Sequence, residues 1–189
     1  YNKKYGINMS VISNFPLFNK VNQAVNDNVV KKIIYQGAVN KDRGIELMVE
    51  AMLHVNATLH IVGDGDVLSE IKEYVTRLKL DHKVVFKGKI NFQDLAKITQ
   101  TADLGLSFEK DTCLSYRYSL PNKIFDYINA EIPVLVSDLI EFRKVIESYK
   151  VGAVIKSRDA KSVANQINYL LSFPKSKWSS SLQSAKKQY

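Results

Sequence analysis

The sequence predicts an α/β fold, a Rossmann-like, doubly wound sheet of six parallel strands with helices on both faces. Three observations carry this expectation. From Lys31 onward one rhythm repeats: a short aliphatic or β-branched run, a turn, then a helix-length amphipathic segment, which is the pattern of βαβ units. Most of the runs are too continuously apolar to keep a wet face, as expected of parallel strands covered on both sides. The segments between them space their apolar residues three and four apart, as helices with one buried face do.

In chain order the strand candidates are Ile33–Tyr35, Leu59–Val62, Val84–Phe86, Leu104–Phe108, Pro133–Val136 and Val151–Ile155. Ile45, Met48, Val49 and Met52 follow the first with helical spacing, and Leu68, Ile71, Val75 and Leu78 follow the second. Caps mark further helix starts: Asp66 before Leu68, Asn91 with Asp94 three residues on, and Asp159 ahead of Val163, Ile167 and Leu170. Pro121 opens a helix whose buried side is Ile124, Phe125 and Ile128. Residues 1–30, with the alternating run Met9–Ser13 and then Asn14-Phe15-Pro16, are expected as an arm leading into a domain over residues 31–173. Residues 174–189 are expected as a last helix carrying Trp178. Because the chain opens without an initiator Met and closes without a helix cap, it is expected to be part of a longer protein.

Composition narrows the function classes. A chain of 189 residues, 46% hydrophobic and 24% charged, can bury one core without staples. The single cysteine, Cys113, excludes an intrachain disulfide and a cysteine-rich zinc site, and His54, His60 and His82 are scattered, so no metal is expected. No stretch approaches the roughly 18 apolar residues of a membrane helix. The net charge of +8 suits an anionic partner, but the Lys and Arg are spread along the chain. Without a clustered basic stripe or interleaved exposed aromatics, nucleic acid is not expected as a partner.

In an open parallel sheet the ligand lies outside the C-terminal strand ends, so the βα turns are where chemistry is sought. The turn Gly37-Ala38-Val39-Asn40-Lys41-Asp42-Arg43-Gly44 offers close backbone approach and a guanidinium fork for phosphate. Taken alone it is equally an ordinary turn with an exposed arginine. Gly63-Asp64-Gly65-Asp66 lacks the third glycine of a dinucleotide fingerprint and carries two acids where a pyrophosphate would sit, so it reads as a tight turn and cap. The richest stretch is Ser119-Leu120-Pro121-Asn122-Lys123-Ile124-Phe125-Asp126-Tyr127. Asp126 is open to two readings, a charge that complements the helix dipole or an acceptor for paired ribose hydroxyls, while Lys123 and free backbone N–H groups suit a diphosphate.

From about Val11 onward the order of motifs resembles the C-terminal domain of group 1, or family 4, glycosyltransferases with the glycosyltransferase-B fold. Val11-Ile12-Ser13-Asn14 is similar to that family's exit from the interdomain linker, and Tyr35-Gln36-Gly37 with Arg43-Gly44 to its first strand and basic-Gly step. His60-Ile61-Val62-Gly63-Asp64-Gly65 resembles its Gly-x-Gly turn, and Val84-Val85-Phe86-Lys87-Gly88 its third strand. Pro121-x-Lys123-x-x-Asp126-Tyr127, followed by Ala130-Glu131-Ile132-Pro133-Val134, resembles the helix bearing a ribose-binding acid and the Pro-Val step after it. Three positions depart from the pattern: Tyr118 where the first of two spaced glutamates often stands, Glu131 in place of a glycine before Pro-Val, and Ala38 where an arginine is common.

The resemblance implies the donor-binding half of a retaining glycosyltransferase, with the acceptor held by an N-terminal domain outside this chain and transfer in the cleft between them. The isolated piece is then expected to be inactive. Arg43, Lys123 and Asp126 are the implied catalytic residues; Gly37, Lys89, Ser119, Leu120 and Asn122 join them as the implied donor-binding set. The implied substrate is a nucleotide-sugar, with no cofactor or metal, and the implied acceptor is a glycan or lipid-linked glycan. Together with the Asn-, Lys-, Ile- and Tyr-rich composition, the resemblance points to polysaccharide assembly in the bacterial cytoplasm, with peripheral contact at the inner face of the membrane. Competing readings are a non-catalytic nucleotide-sugar-binding or interaction module, raised by Tyr118, and a cofactor-using Rossmann enzyme.

Overall fold

The structure is a computed structural model that describes residues 30–188, with Gly6 described in isolation. The expected arm and its Val11–Asn14 strand lie outside the described residues. Six strands, β1 (Lys31–Gln36), β2 (Ala57–Val62), β3 (Val84–Gly88), β4 (Leu104–Ser107), β5 (Val134–Val136) and β6 (Gly152–Val154), form one sheet in the order β3-β2-β1-β4-β5-β6. Every pairing is parallel. Each strand contains or overlaps one of the aliphatic runs, because a run without a polar face is stable only with both sides covered.

The helices are α1 (Ile45–Ala51), α2 (Leu68–Arg77), α3 (Phe92–Gln100), α4 (Leu114–Arg117), α5 (Asn122–Asn129), α6 (Ile140–Tyr149), α7 (Ala160–Leu171) and α8 (Ser176–Gln188). Asn91 caps α3 by accepting from the Asp94 N–H, and Asp159 caps α7 by accepting from Ser162. The Asp66 cap is not formed: α2 starts after Val67 without a side-chain cap, and the Asp66 N–H instead donates to the Asn40 Oδ1. Short α4 has no apolar periodicity and was not expected.

Alternation along the strands divides the core between two faces. Ile33, Tyr35, Leu59, Ile61, Leu104 and Leu106 pack with residues of α1, α2 and α7. Ile34, Val62, Val134 and Val136 pack on the other side with Ile124, Phe125, Tyr127 and Ile128 of α5 and Phe142, Val145 and Ile146 of α6. Leu182 and Ala185 of α8 are fully buried in that second cluster, so the last helix is part of the core.

The strand order reverses between β1 and β4, which is where such sheets open a crevice at their C-terminal edge. Tyr127 holds α5 onto that point. Its buried hydroxyl accepts from the Gln36 N–H at 3.2 Å and donates to the Leu106 carbonyl at 3.2 Å, joining β1 to β4. The ring lies where a Cβ on Gly105 would approach within 2.4 Å, so the strand carries a glycine to let α5 come close.

Candidate functional site

At the reversal point a carboxylate is buried beneath two cations. Glu109, two residues past the end of β4, has no exposed surface. Its Oε2 accepts from the Ser107 hydroxyl at 2.7 Å, and its Oε1 takes the Lys123 ammonium at 2.7 Å and the Arg43 guanidinium at 3.3 Å. Burial pushes the Glu109 carboxyl up, but the Lys123 charge and the hydrogen bonds outweigh it and hold the group below the ordinary glutamate range. Lys123 is 8% exposed; burial lowers its pKa, opposed by Glu109. One carboxylate thus balances one of two cations, leaving net positive charge facing the crevice.

Each cation is placed by its element. Arg43 precedes Gly44, whose left-handed φ of 72° turns the chain into α1. A Cβ on Gly44 would meet the Phe108 carbonyl at 2.2 Å, so only glycine brings this turn against the end of β4. The guanidinium lies 5.0 Å from the Tyr116 ring centroid, and its buried Nε has no hydrogen-bond partner among the described residues. Lys123 is the second residue of α5, and its ammonium sits 4.4 Å from the Tyr35 ring centroid and 3.6 Å from where a Cβ on Gly37 would stand. Arg158 braces the floor by donating to the Phe108 carbonyl at 2.8 Å and the Ser137 hydroxyl at 3.0 Å.

Asp126 belongs to the second turn of α5, since the helix begins at Asn122 and has no acidic residue in its first turn. That position is outside the reach of the helix dipole's N-terminal charge. Burial pushes its carboxyl up to about 6, against a lowering hydrogen bond from the Gln36 side-chain amide at 2.8 Å. The amide in turn contacts the Thr99 hydroxyl of α3 at 2.7 Å.

A cavity of about 510 Å³ opens at the C-terminal ends of β1, β2 and β3, lined by Gly37, Ala38, Asn40, Gly63, Lys89, Ile90 and Leu95 among others. Its floor depends on Gly63, with φ 141°, where a Cβ would stand 1.9 Å from the Gly37 carbonyl oxygen.

Of the expected site residues, Arg43 and Lys123 converge on Glu109 beside Gly37, Asp126 stands on the same helix as Lys123, and Gly37 and Lys89 line the cavity. Asn122 is exposed at the start of α5. The Ser119 hydroxyl is spent on the Tyr116 carbonyl at 3.0 Å, and Leu120 packs against the core, so neither is brought into the cluster. Tyr118, where the resemblance leads one to look for an acid, is 58% exposed. Sequence reasoning missed Glu109, Gln36, Thr99 and Arg158. The available signal was position, an acid directly after the Leu104–Phe108 run and a glutamine closing the first strand. Among the described residues no three His, Cys, Asp or Glu side chains gather as a metal set, and no helix is long and apolar enough to cross a membrane.

Comparison with known proteins identifies the family and the fold. The family described as glycosyl transferases group 1 matches residues 19–187. A glycosyltransferase of Methanocaldococcus jannaschii, itself uncharacterised, is 35% identical over 78 residues, which is 39% of this chain and 20% of the relative. The chitobiosyldiphosphodolichol β-mannosyltransferase of Candida albicans is 26% identical over 148 residues, 72% of this chain and 32% of the relative. The crystal structure of Anabaena HepE in complex with UDP superposes with a TM-score of 0.71 at 17% identity, covering 84% of this chain and 43% of HepE. The matched region thus spans less than half of each of these relatives. With a family match over most of its length and the six-stranded parallel sheet of a glycosyltransferase-B half, the chain belongs to the group 1 glycosyltransferases.

Proposed function

We propose that this chain is the donor-binding half of a retaining glycosyltransferase, which holds a nucleoside diphosphate sugar while a further domain presents a glycan or lipid-linked glycan acceptor. The convergence of Arg43 and Lys123 over buried Glu109 at the reversal point carries this reading. Departure of a nucleoside diphosphate builds negative charge on the phosphates, and two fixed cations stabilise that charge as it forms, with no reorganisation at the moment of reaction. Because Lys123 projects from α5 to the flank of Gly37, it supplies a cation beside Ala38, where the family commonly carries an arginine. The diphosphate then lies over Gly37, the ribose hydroxyls donate to Asp126, and the base enters the cavity flanked by Lys89, Ile90 and Leu95.

The isolated chain is proposed to bind donor without transferring sugar. Polysaccharide assembly, a bacterial cytoplasmic setting with peripheral contact at the membrane's inner face, and donor chemistry that needs no metal are part of the same proposal. A thermal-shift screen with UDP-, GDP-, ADP- and CMP-sugars tests it, since a ligand that binds only the native state raises apparent stability. One of the UDP-, GDP- or ADP-sugars should raise the melting temperature in proportion to the logarithm of its concentration, while CMP-sugars, with a single phosphate, should not. No shift with any of the four at millimolar concentration would refute donor binding.

A further inference from the structure

Asp126 is the one acid of α5, and its carboxyl makes one side-chain hydrogen bond among the described residues, accepted by Oδ2 from the Gln36 Nε2 at 2.8 Å. Gln36 is the last residue of β1 and is 3% exposed. Its carbonyl end faces Thr99 of α3 and its N–H end faces Asp126. The Oε1 lies 2.7 Å from the hydroxyl of Thr99, which is 1% exposed, and that hydroxyl also lies 2.8 Å from the Leu95 carbonyl. A hydroxyl has one proton to give. With Thr99 donating to Gln36 Oε1, the amide must turn its N–H toward Asp126, which can accept it only with a lone pair.

We propose that Gln36, oriented by Thr99, is a positioning residue that keeps the Asp126 carboxyl as an aimed hydrogen-bond acceptor at the reversal point. This rests on the reading of Asp126 as the acceptor for the donor's ribose. A ribose diol offers two O–H donors to one carboxylate, so the site needs that carboxylate ionised, while the burial that shapes the crevice disfavours the charge. The Gln36 amide offsets that cost from beneath and leaves the other oxygen free for the ligand. Nearby titratable groups do not take this role. Lys123 on the same helix is bound to Glu109, Lys97 on α3 to Asp94, and the Tyr35 hydroxyl of β1 donates to the Ala38 carbonyl. Tyr127 of α5 is committed to β1 and β4, and Lys89 beyond β3 forms no hydrogen bond or ion pair with Asp126 among the described residues.

The test compares wild type with Gln36→Met, which keeps length and apolar packing but removes the amide, and with Thr99→Ala, which keeps the amide and removes its anchor. The first readout is the titration of the Asp126 side-chain carboxyl carbon by NMR, which needs no ligand. Its midpoint, about 6 in the wild type, should rise by about one pH unit in Gln36→Met, the size of losing one hydrogen bond to a carboxylate, and by less in Thr99→Ala. The second readout is UDP-glucose affinity from pH 5 to 8, a range in which its diphosphate diester does not titrate. At pH 6 the Gln36→Met protein should bind about fivefold more weakly than wild type, and the gap should narrow toward pH 8 as the carboxyl ionises. An unmoved midpoint, or a loss of affinity equal at every pH, would overturn the positioning role. If the midpoint moves as expected but no nucleotide-sugar binds, the donor-binding reading fails and the positioning contact stands.

Discussion

Replacing Lys123 by Met probes the buried cluster directly. Glu109 is fully enclosed, and in Lys123→Met it keeps the Ser107 hydrogen bond, its own backbone N–H, and Arg43 at 3.3 Å from a side chain that is 26% exposed. Removing one partner of a buried pair costs about 3–5 kcal/mol, and the remaining guanidinium puts this site at the lower end, about 3 kcal/mol. In the double variant Lys123→Met/Glu109→Gln no buried carboxylate is stranded, and Arg43, 26% exposed, faces a neutral amide, so it should be more stable than Lys123→Met alone, with a coupling of at least about 1 kcal/mol. The pH dependence follows in sign. Wild-type Glu109, held below its usual range, contributes stability that is present at neutral pH and lost on acidification. Without Lys123, burial dominates and raises the carboxyl, so stability instead falls as pH rises through the region above the ordinary glutamate value. The gap between wild type and Lys123→Met therefore narrows from pH 7.5 to pH 5. Urea unfolding with the m-value checked for constancy measures all four corners of the cycle. A Lys123→Met protein within about 0.5 kcal/mol of wild type at pH 7.5, or a coupling near zero, would refute this reasoning.

Other changes separate binding from structure. Asp126→Asn should weaken nucleotide-sugar binding by a few kcal/mol while leaving stability at pH 7.5 unchanged or about 1 kcal/mol higher, because the carboxylate it removes is disfavoured by burial; calorimetry and melting on one preparation decide this. Arg43→Ala should weaken binding of a nucleoside diphosphate by about 1.5–3 kcal/mol and of the nucleoside far less, and equal losses would assign Arg43 a structural role only. Gly63→Ala forces a Cβ to within 1.9 Å of the Gly37 carbonyl oxygen at φ 141°, so it should destabilise by more than about 3 kcal/mol in chemical denaturation.

The sheet was legible because its information is local. Each strand is carried by an aliphatic run, deepest in β4 and β5 and only partly buried in the edge strands β3 and β6, and the caps at Asn91 and Asp159 report themselves through hydrogen bonds three residues long. Asp66 failed as a cap because its neighbourhood answers to Asn40, 26 residues away, which no local pattern encodes. The same divide runs through the site. Arg43 and Lys123 stand in a turn and a helix start that a parallel sheet directs to one edge, where position drew attention to them, and the family resemblance, rather than position, singled out Arg43, Lys123 and Asp126. Glu109 and Gln36 carry no such mark. Their importance comes from partners 14, 66 and 90 residues distant, and an acid or amide closing an apolar run looks the same whether it meets water or a lysine. At Ser119 and Leu120, named through the resemblance, the side chains turn to a local carbonyl and to the core.

The most direct test of donor binding is a crystal structure of the protein with the nucleotide-sugar that gives the largest thermal shift. The diphosphate should lie within hydrogen-bond distance of both Lys123 Nζ and the Arg43 guanidinium, with the ribose hydroxyls on Asp126. A nucleotide bound elsewhere on the sheet edge, with Lys123 and Arg43 still closed on Glu109, would contradict it.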